Sequence, residues 1–167
     1  MQAILMCLIR TVLCTKMEWT RDNFTVTTDQ AKFDMDFVVA SLQGAWRKGA
    51  TRERIASAFG NSLSFGLFDG ERQIGCVRAV TDRQFVSWIC DMFLDPRYRG
   101  KGLGQWLMDC VKNHPDMVHT RLVFSSVPES QAFYERIGFK LMERGYTMPP
   151  RGTAQSPAGD PDVHRDA

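Results

Sequence analysis

"DPRYRGKGLGQWL" (Asp95–Leu107) follows directly on the apolar run "FVSWICDMFL" (Phe85–Leu94), and its reading decides the fold. Glycines at 100, 102 and 104 alternate with Lys101 and Leu103, just after Arg97 and Arg99. Leu103, Trp106, Leu107, Cys110 and Val111 then recur at the spacing of an amphipathic helix packed on a sheet. The local order is strand, basic glycine turn, helix. A helix start leaves its first N–H groups without internal acceptors, and the macrodipole adds roughly half a positive charge there. Glycines let the main chain approach a ligand closely, so a diphosphate is the natural guest of this corner. A dinucleotide fingerprint G-x-G-x-x-G fails, because its third place holds Gln105 or Leu107. A P-loop fails as well, with Asp95 where its first glycine belongs and Gly102 where Ser or Thr is required.

Working outward, "NFTVTT" predicts a short strand, and "FDMDFVVASLQ" places Phe33, Phe37, Val38, Ser41 and Leu42 on one helical stripe. In "TRERIASAFGN", Thr51 is an N-cap, Glu53 sits in the first turn and Gly60 takes the left-handed C-terminal place. "LSFGLF" and "RQIGCVRAVT" flank Asp69-Gly70 as a hairpin. "RLVFSS" is a strand, "PESQAFYERIG" a helix with Pro128 near its start and Gly138 at its end, and "GFKLMERGYTM" a final hairpin. The order implies an α+β (mixed α/β) layered fold: a twisted, mostly antiparallel sheet flanked by helices.

The 167 residues, 44% hydrophobic, suit one domain with a proper core. The net charge of +2 comes from 21 basic and 19 acidic residues in no blocks, which disfavours nucleic acid as a partner. Five cysteines, an odd count without a C-x-x-C, point to a reduced, cytoplasmic, metal-free protein. Residues 1–16, "MQAILMCLIRTVLCTK", lack a basic n-region and are interrupted by Arg10. Their apolar run is short of the ~20 residues a membrane span needs. They read as a disordered or misassigned extension, with no membrane role. Residues 149–167, poor in apolar side chains, read as a disordered tail, leaving 17–148 as the working domain.

The segment "DMFLDPRYRGKGLGQWLMDCV" resembles the acetyl-CoA-binding motif of the GNAT superfamily of N-acetyltransferases, Q/R-x-x-G-x-G/A after a strand, here Arg99, Gly102 and Gly104. "ESQAFYERIGF" is similar to the family's second signature, and the two stand in the family's order and spacing. The resemblance implies the GNAT fold, with acetyl-CoA as co-substrate and an amine as acceptor. The implied activity is acetyl transfer to a primary amine of a small or amino-acid-like molecule by direct attack. A non-catalytic acyl-CoA sensor of the same fold and a protein N-acetyltransferase stand as alternatives, and a homodimer is left open. By the same carry-over, backbone groups of Met92 and Leu94 pair with the pantetheine arm. Amides of Arg99, Gly100, Lys101, Gly102, Leu103 and Gly104 hold the pyrophosphate. Ser130 and Phe133 also line the cofactor, and Tyr134 is the general acid toward the departing thiolate. A phenol can deliver that proton independently of any family.

Two departures stand out. Val127 occupies the place of an asparagine that many members carry, so a pantetheine contact is lost or passes to Ser126 or Ser130. The general base that members place with the side-chain parity of Leu94 falls here on Cys90 or Trp88. Asp91, the carboxylate inside the strand, points to the opposite face unless a bulge intervenes, and a water chain is the remaining candidate. For the acceptor, the resemblance nominates "GAWRKGA" with Trp46, together with Trp88, Ser125 and Tyr146. Aromatic walls of that kind suit a small, partly apolar amine.

Overall fold

Asp34 and Thr51 start the first two α-helices, each by accepting hydrogen bonds from the orphan N–H groups of the turn that follows. Asp34 Oδ1 accepts from Asp36 N and Phe37 N, both at 3.0 Å, and Thr51 Oγ1 from Arg54 N at 3.3 Å. Such caps contribute ~1 kcal/mol each. They fix helix α1, Met35–Ala45, and helix α2, Arg52–Gly60. In the computed structural model residues 16–142 are described, and the chain divides between Val123 and Phe124 into two compact units.

The first unit holds a six-stranded sheet in the order β1-β2-β3-β4-β5-β6, numbered along the chain. Its strands are β1 Glu18–Arg21, β2 Phe24–Thr27, β3 Leu63–Asp69, β4 Arg72–Thr81, β5 Val86–Leu94 and β6 Arg121–Val123. Every ladder is antiparallel except β5–β6. That parallel ladder covers Val86, Ser87 and Trp88 only, and β5 runs on past it to Leu94. Gly70, at φ +56°, closes the β3–β4 hairpin in the left-handed region that glycine takes without cost.

The two faces of this sheet carry different helices. On one, Cys76 packs with Val38, Val39 and Leu42 of α1 and Ile55 and Phe59 of α2, and Ser64 Oγ donates to Phe59 O at 2.9 Å. Phe65, one residue on and so on the other face, meets the His114 ring edge-on at 5.6 Å. His114 closely follows helix α3, Leu103–Lys112, whose buried stripe is Leu103, Leu107, Met108, Cys110 and Val111. The second unit contains a 3-10 turn, Pro128–Ser130, and helix α4, Gln131–Arg136, ended by Gly138 at φ +97°.

The layered, mostly antiparallel sheet flanked by helices agrees with the sequence reading; several local expectations differ. Strand β1 was not foreseen, because "EWTR" has no alternation to announce it. Gly60 is the last helical residue, with no positive φ; Asn61 ends α2 at φ −96°. The strand in "RLVFSS" stops at Val123, and Gly138–Met142 form no strand. The rest of the expected final hairpin, Tyr146, the C-terminal tail and residues 1–15 of the expected extension lie outside the described residues. Among the described residues no helix is long and apolar enough to cross a membrane, and no cluster of His, Cys, Asp and Glu could hold a metal ion.

Candidate functional site

One strand, β5, leads to both candidate features. At its C-terminal end Asp95, 6% exposed, anchors the glycine turn. Its carboxylate accepts from Arg97 N at 3.0 Å, Arg97 Nε at 3.0 Å and Arg97 Nη2 at 2.5 Å, with Arg72 Nη2 3.8 Å away. The Arg97 guanidinium outweighs burial and pulls the Asp95 carboxyl down to about 2. A 3-10 turn, Pro96–Tyr98, follows, braced by Tyr98 Oη donating to Asp69 Oδ2 at 2.9 Å. Gly100 and Gly102 then take φ +76° and +75°, and Gly102 N-caps α3 without a side-chain bond.

Among the described residues, none accepts from the N–H groups of Gly100 to Gly104. The Arg99 amide, counted with them in the sequence, donates instead to Pro96 O at 3.2 Å, so the open row begins at Gly100. Arg99 and Lys101 are exposed beside it. A third cation was not legible: a Cβ placed on Gly102 would lie 3.9 Å from Arg21 Nη1, brought there by the end of β1. Open amides, a helix N-terminus and three cations form a cradle for an anion. Met92 and Leu94 lie on β5 immediately before it, past the end of the β6 ladder.

Further back, β5 bulges. Cys76 faces Phe93 and Arg78 faces Cys90, so three steps on β5 match two on β4. Asp91 sits in the bulge at φ +53°, a conformation that asparagine and aspartate tolerate best among non-glycine residues. Two consequences follow. With the bulge that the sequence reading allowed for, Asp91 shares the side facing α1 and α2 with Cys90 instead of opposing it. Leu94 falls on the other side from Cys90, so the parity argument that nominated Cys90 and Trp88 fails by one residue.

Asp91 borders a cavity of about 450 Å³ between α1, α2 and β5. Leu42, Ile55 and Phe59 give it an apolar floor, and Trp46 closes one side. The Asp91 side chain, 3% exposed, accepts from Arg78 Nε at 2.6 Å, Arg47 Nε at 2.9 Å and Trp46 Nε1 at 3.0 Å. Burial alone would raise its carboxyl; Arg78, Trp46 and Arg47 together hold it below the usual value. An ionised carboxylate already holding three donors is an anchor and a poor base. Arg47, Lys48, Arg54 and Arg78 also line the cavity, four cations that arrive from a loop, α2 and β4. Of the nominated acceptor segment "GAWRKGA", Trp46, Arg47, Lys48, Gly49 and Ala50 line it. Trp88, 44% exposed, lies elsewhere along β5, and Ser125 belongs to the second unit.

In that second unit Tyr134 is packed by aromatic rings, with centroids of Phe124, Phe133 and Phe139 at 4.4, 5.0 and 6.1 Å. Burial raises its phenol, so a group already protonated at neutral pH becomes a weaker acid still. Phe133 and Ser130 are half-buried. Val127, at the asparagine position, is 44% exposed and N-caps the 3-10 turn.

Residues 61–141 match the family model described as an acetyltransferase (GNAT) domain. A Gibberella zeae protein assigned as an acetyltransferase is 22% identical over 147 residues, 73% of this chain and 82% of its own length. The GCN5-related N-acetyltransferase 2, chloroplastic, of Arabidopsis thaliana is 28% identical over 141 residues; the match covers 80% of this chain and 49% of that protein. Among solved structures, a GNAT-family protein of Xanthomonas campestris superposes with a TM-score of 0.68 at 28% identity, covering 76% of this chain and 96% of its own.

Proposed function

Since the chain belongs to the GNAT superfamily of N-acetyltransferases, we propose that it moves the acetyl group of acetyl-CoA onto a primary amine of a small or amino-acid-like acceptor, by direct attack. The observation that carries this reading is the cradle at Gly100–Gly104. Its open amides and the cations Arg21, Arg99 and Lys101 fit a pyrophosphate, and the positive φ of Gly100 and Gly102 keeps the main chain accessible. Bound there, acetyl-CoA supplies an activated thioester whose sulfur leaves as a thiolate.

The chain's own residues supply positioning and protons. Gly100, Lys101, Gly102, Leu103 and Gly104 bind the diphosphate through their amides, with the Arg99 side chain beside them. Met92 and Leu94 orient the pantetheine arm along β5. Tyr134 holds a proton on Oη, as a phenol does at neutral pH, and delivers it to the leaving sulfur. The acceptor's own proton goes to solvent through the cavity mouth, where Arg47 and Lys48 are exposed, because the one carboxylate lining the cavity is held by three donors.

The test is thiol release from acetyl-CoA in the presence of a panel of primary amines, with N-acetyl product identified by mass. Amine-dependent release is expected, with kcat/KM rising with pH along the pKa of each amine. Release that ignores the amine, or an acid limb that stays fixed when amines of different pKa are compared, would overturn direct attack with solvent as the base.

A further inference from the structure

We propose that the acceptor amine carries an anionic group, a carboxylate or a phosphate, and that the cavity between α1, α2 and β5 recognises it through Arg54, Lys48 and Arg47. This rests on the acetyl-transfer reading above. Exposed lysines and arginines are ordinarily just a solvated surface. Here they converge on one concavity, of a volume usual for small-ligand sites, from a loop and from α2, with the largely buried Arg78 joining them from β4.

Their charge is not compensated within the cavity. Asp91 is its one carboxylate, and it is shared between Arg78 and Arg47. Arg54 and Lys48 form no ion pair among the described residues. An acceptor that is only an ammonium would meet like charge here; one that brings a carboxylate or phosphate is met by guanidinium forks suited to it. Asp91 holds Arg78 and Arg47 in place from below, so the ligand's anion need not order those side chains on arrival. The expected aromatic, partly apolar pocket is therefore revised to a cationic one with an apolar floor.

The experiment compares amines in pairs that differ by one anionic group: glucosamine with and without a 6-phosphate, and β-alanine against β-alaninamide. In at least one pair the anionic member is expected to have the higher kcat/KM by about 10–100-fold, the range of one or two charge-assisted hydrogen bonds. The discriminating pair tells phosphate from carboxylate. Arg54→Ala and Arg54→Glu, at an exposed helical position, should narrow that gap through KM, in increasing order, and Arg54→Lys should restore part of it. Neutral members that match or exceed both anionic ones, or an Arg54→Glu protein that keeps the gap, would overturn the proposal.

A second readout needs no turnover. Inorganic phosphate or acetate should change the part of the tryptophan fluorescence that Trp46→Phe removes, and Arg54→Glu should abolish the change. Anion binding of this kind without acetylation of any amine would leave the anion site standing and defeat the transfer reading. If coenzyme A itself competes for that signal, the cavity belongs to the cofactor and the proposal falls.

Discussion

Replacing Asp91 by asparagine tests the central electrostatic feature of the site. The substitution keeps shape, tolerates φ +53° and retains one acceptor oxygen, but removes the charge between Arg78 and Arg47. Arg78, 12% exposed, is left with Ser62 Oγ at 3.2 Å as its other acceptor. Breaking a buried pair from one side costs about 3–5 kcal/mol, whereas the half-exposed Arg47 adds at most ~1 kcal/mol. The remaining Asn oxygen recovers roughly 1 kcal/mol, so a loss of about 3 kcal/mol is expected. For a chain of this size that lowers Tm by about 6–12 °C. Denaturant unfolding followed by circular dichroism measures it.

The pH dependence has a fixed sign. The folded carboxyl lies below the usual 3.8, so its contribution is present above 3.8 and is lost as pH falls through the folded value. The gap between wild type and Asp91→Asn should therefore close in acid. At a temperature where both proteins are folded, the acid limb of kcat/KM should survive the substitution, since Asp91 is an anchor. A variant within 1 kcal/mol of wild type would refute the estimate, and disappearance of the acid limb would restore Asp91 as the base.

Tyr134→Phe should lower turnover by about 10²–10⁴, toward the lower end because a thiol of pKa ~8.5 leaves fairly well unaided. Acetyl-CoA affinity should be nearly unchanged by calorimetry; normal turnover would make Tyr134 a packing residue. Gly102→Val forces a β-branched residue into φ +75°, at ~1–2 kcal/mol or more of backbone strain. It should abolish acetyl-CoA binding while circular dichroism stays native, and unchanged affinity would remove the pyrophosphate reading. His114, 2% exposed, is held below its usual 6.5 chiefly by burial, with Asp116 opposing and Arg83 assisting. The unfolded chain therefore binds a proton first as pH drops below 6.5, and stability falls there. His114→Asn should flatten the difference in unfolding free energy between pH 7.5 and 5.5; an identical slope in both proteins would assign it elsewhere.

The glycine turn was legible because its information is local: alternating glycines and cations between an apolar run and a helical stripe admit few other readings. The caps at Thr51 and Gly138 were local too. The bulge was not, since nothing in "WICDMF" announces a positive φ at Asp91, and every parity argument counted across it inherited the error. The cationic cavity was hidden for another reason. Arg47, Arg54, Arg78 and Asp91 lie on a loop, a helix and two strands, and only the tertiary fold brings them together. Gly60 misled because a glycine at a helix end is compatible with, and does not require, the left-handed conformation.

The extra residue in β5 has a further consequence, one of timing. Upstream of it Cys90 turns toward the helices; downstream Phe93 does, packing against the core beneath α1. The cavity takes its β5 residue, Asp91, from the bulge itself, and the glycine turn is reached beyond it. A strand of unbroken alternation would turn Cys90 or Phe93 toward α1 and α2, and never both. Like the throw of a crankshaft, one residue of offset keeps two working parts in step along a single rod, whatever ligand each part takes.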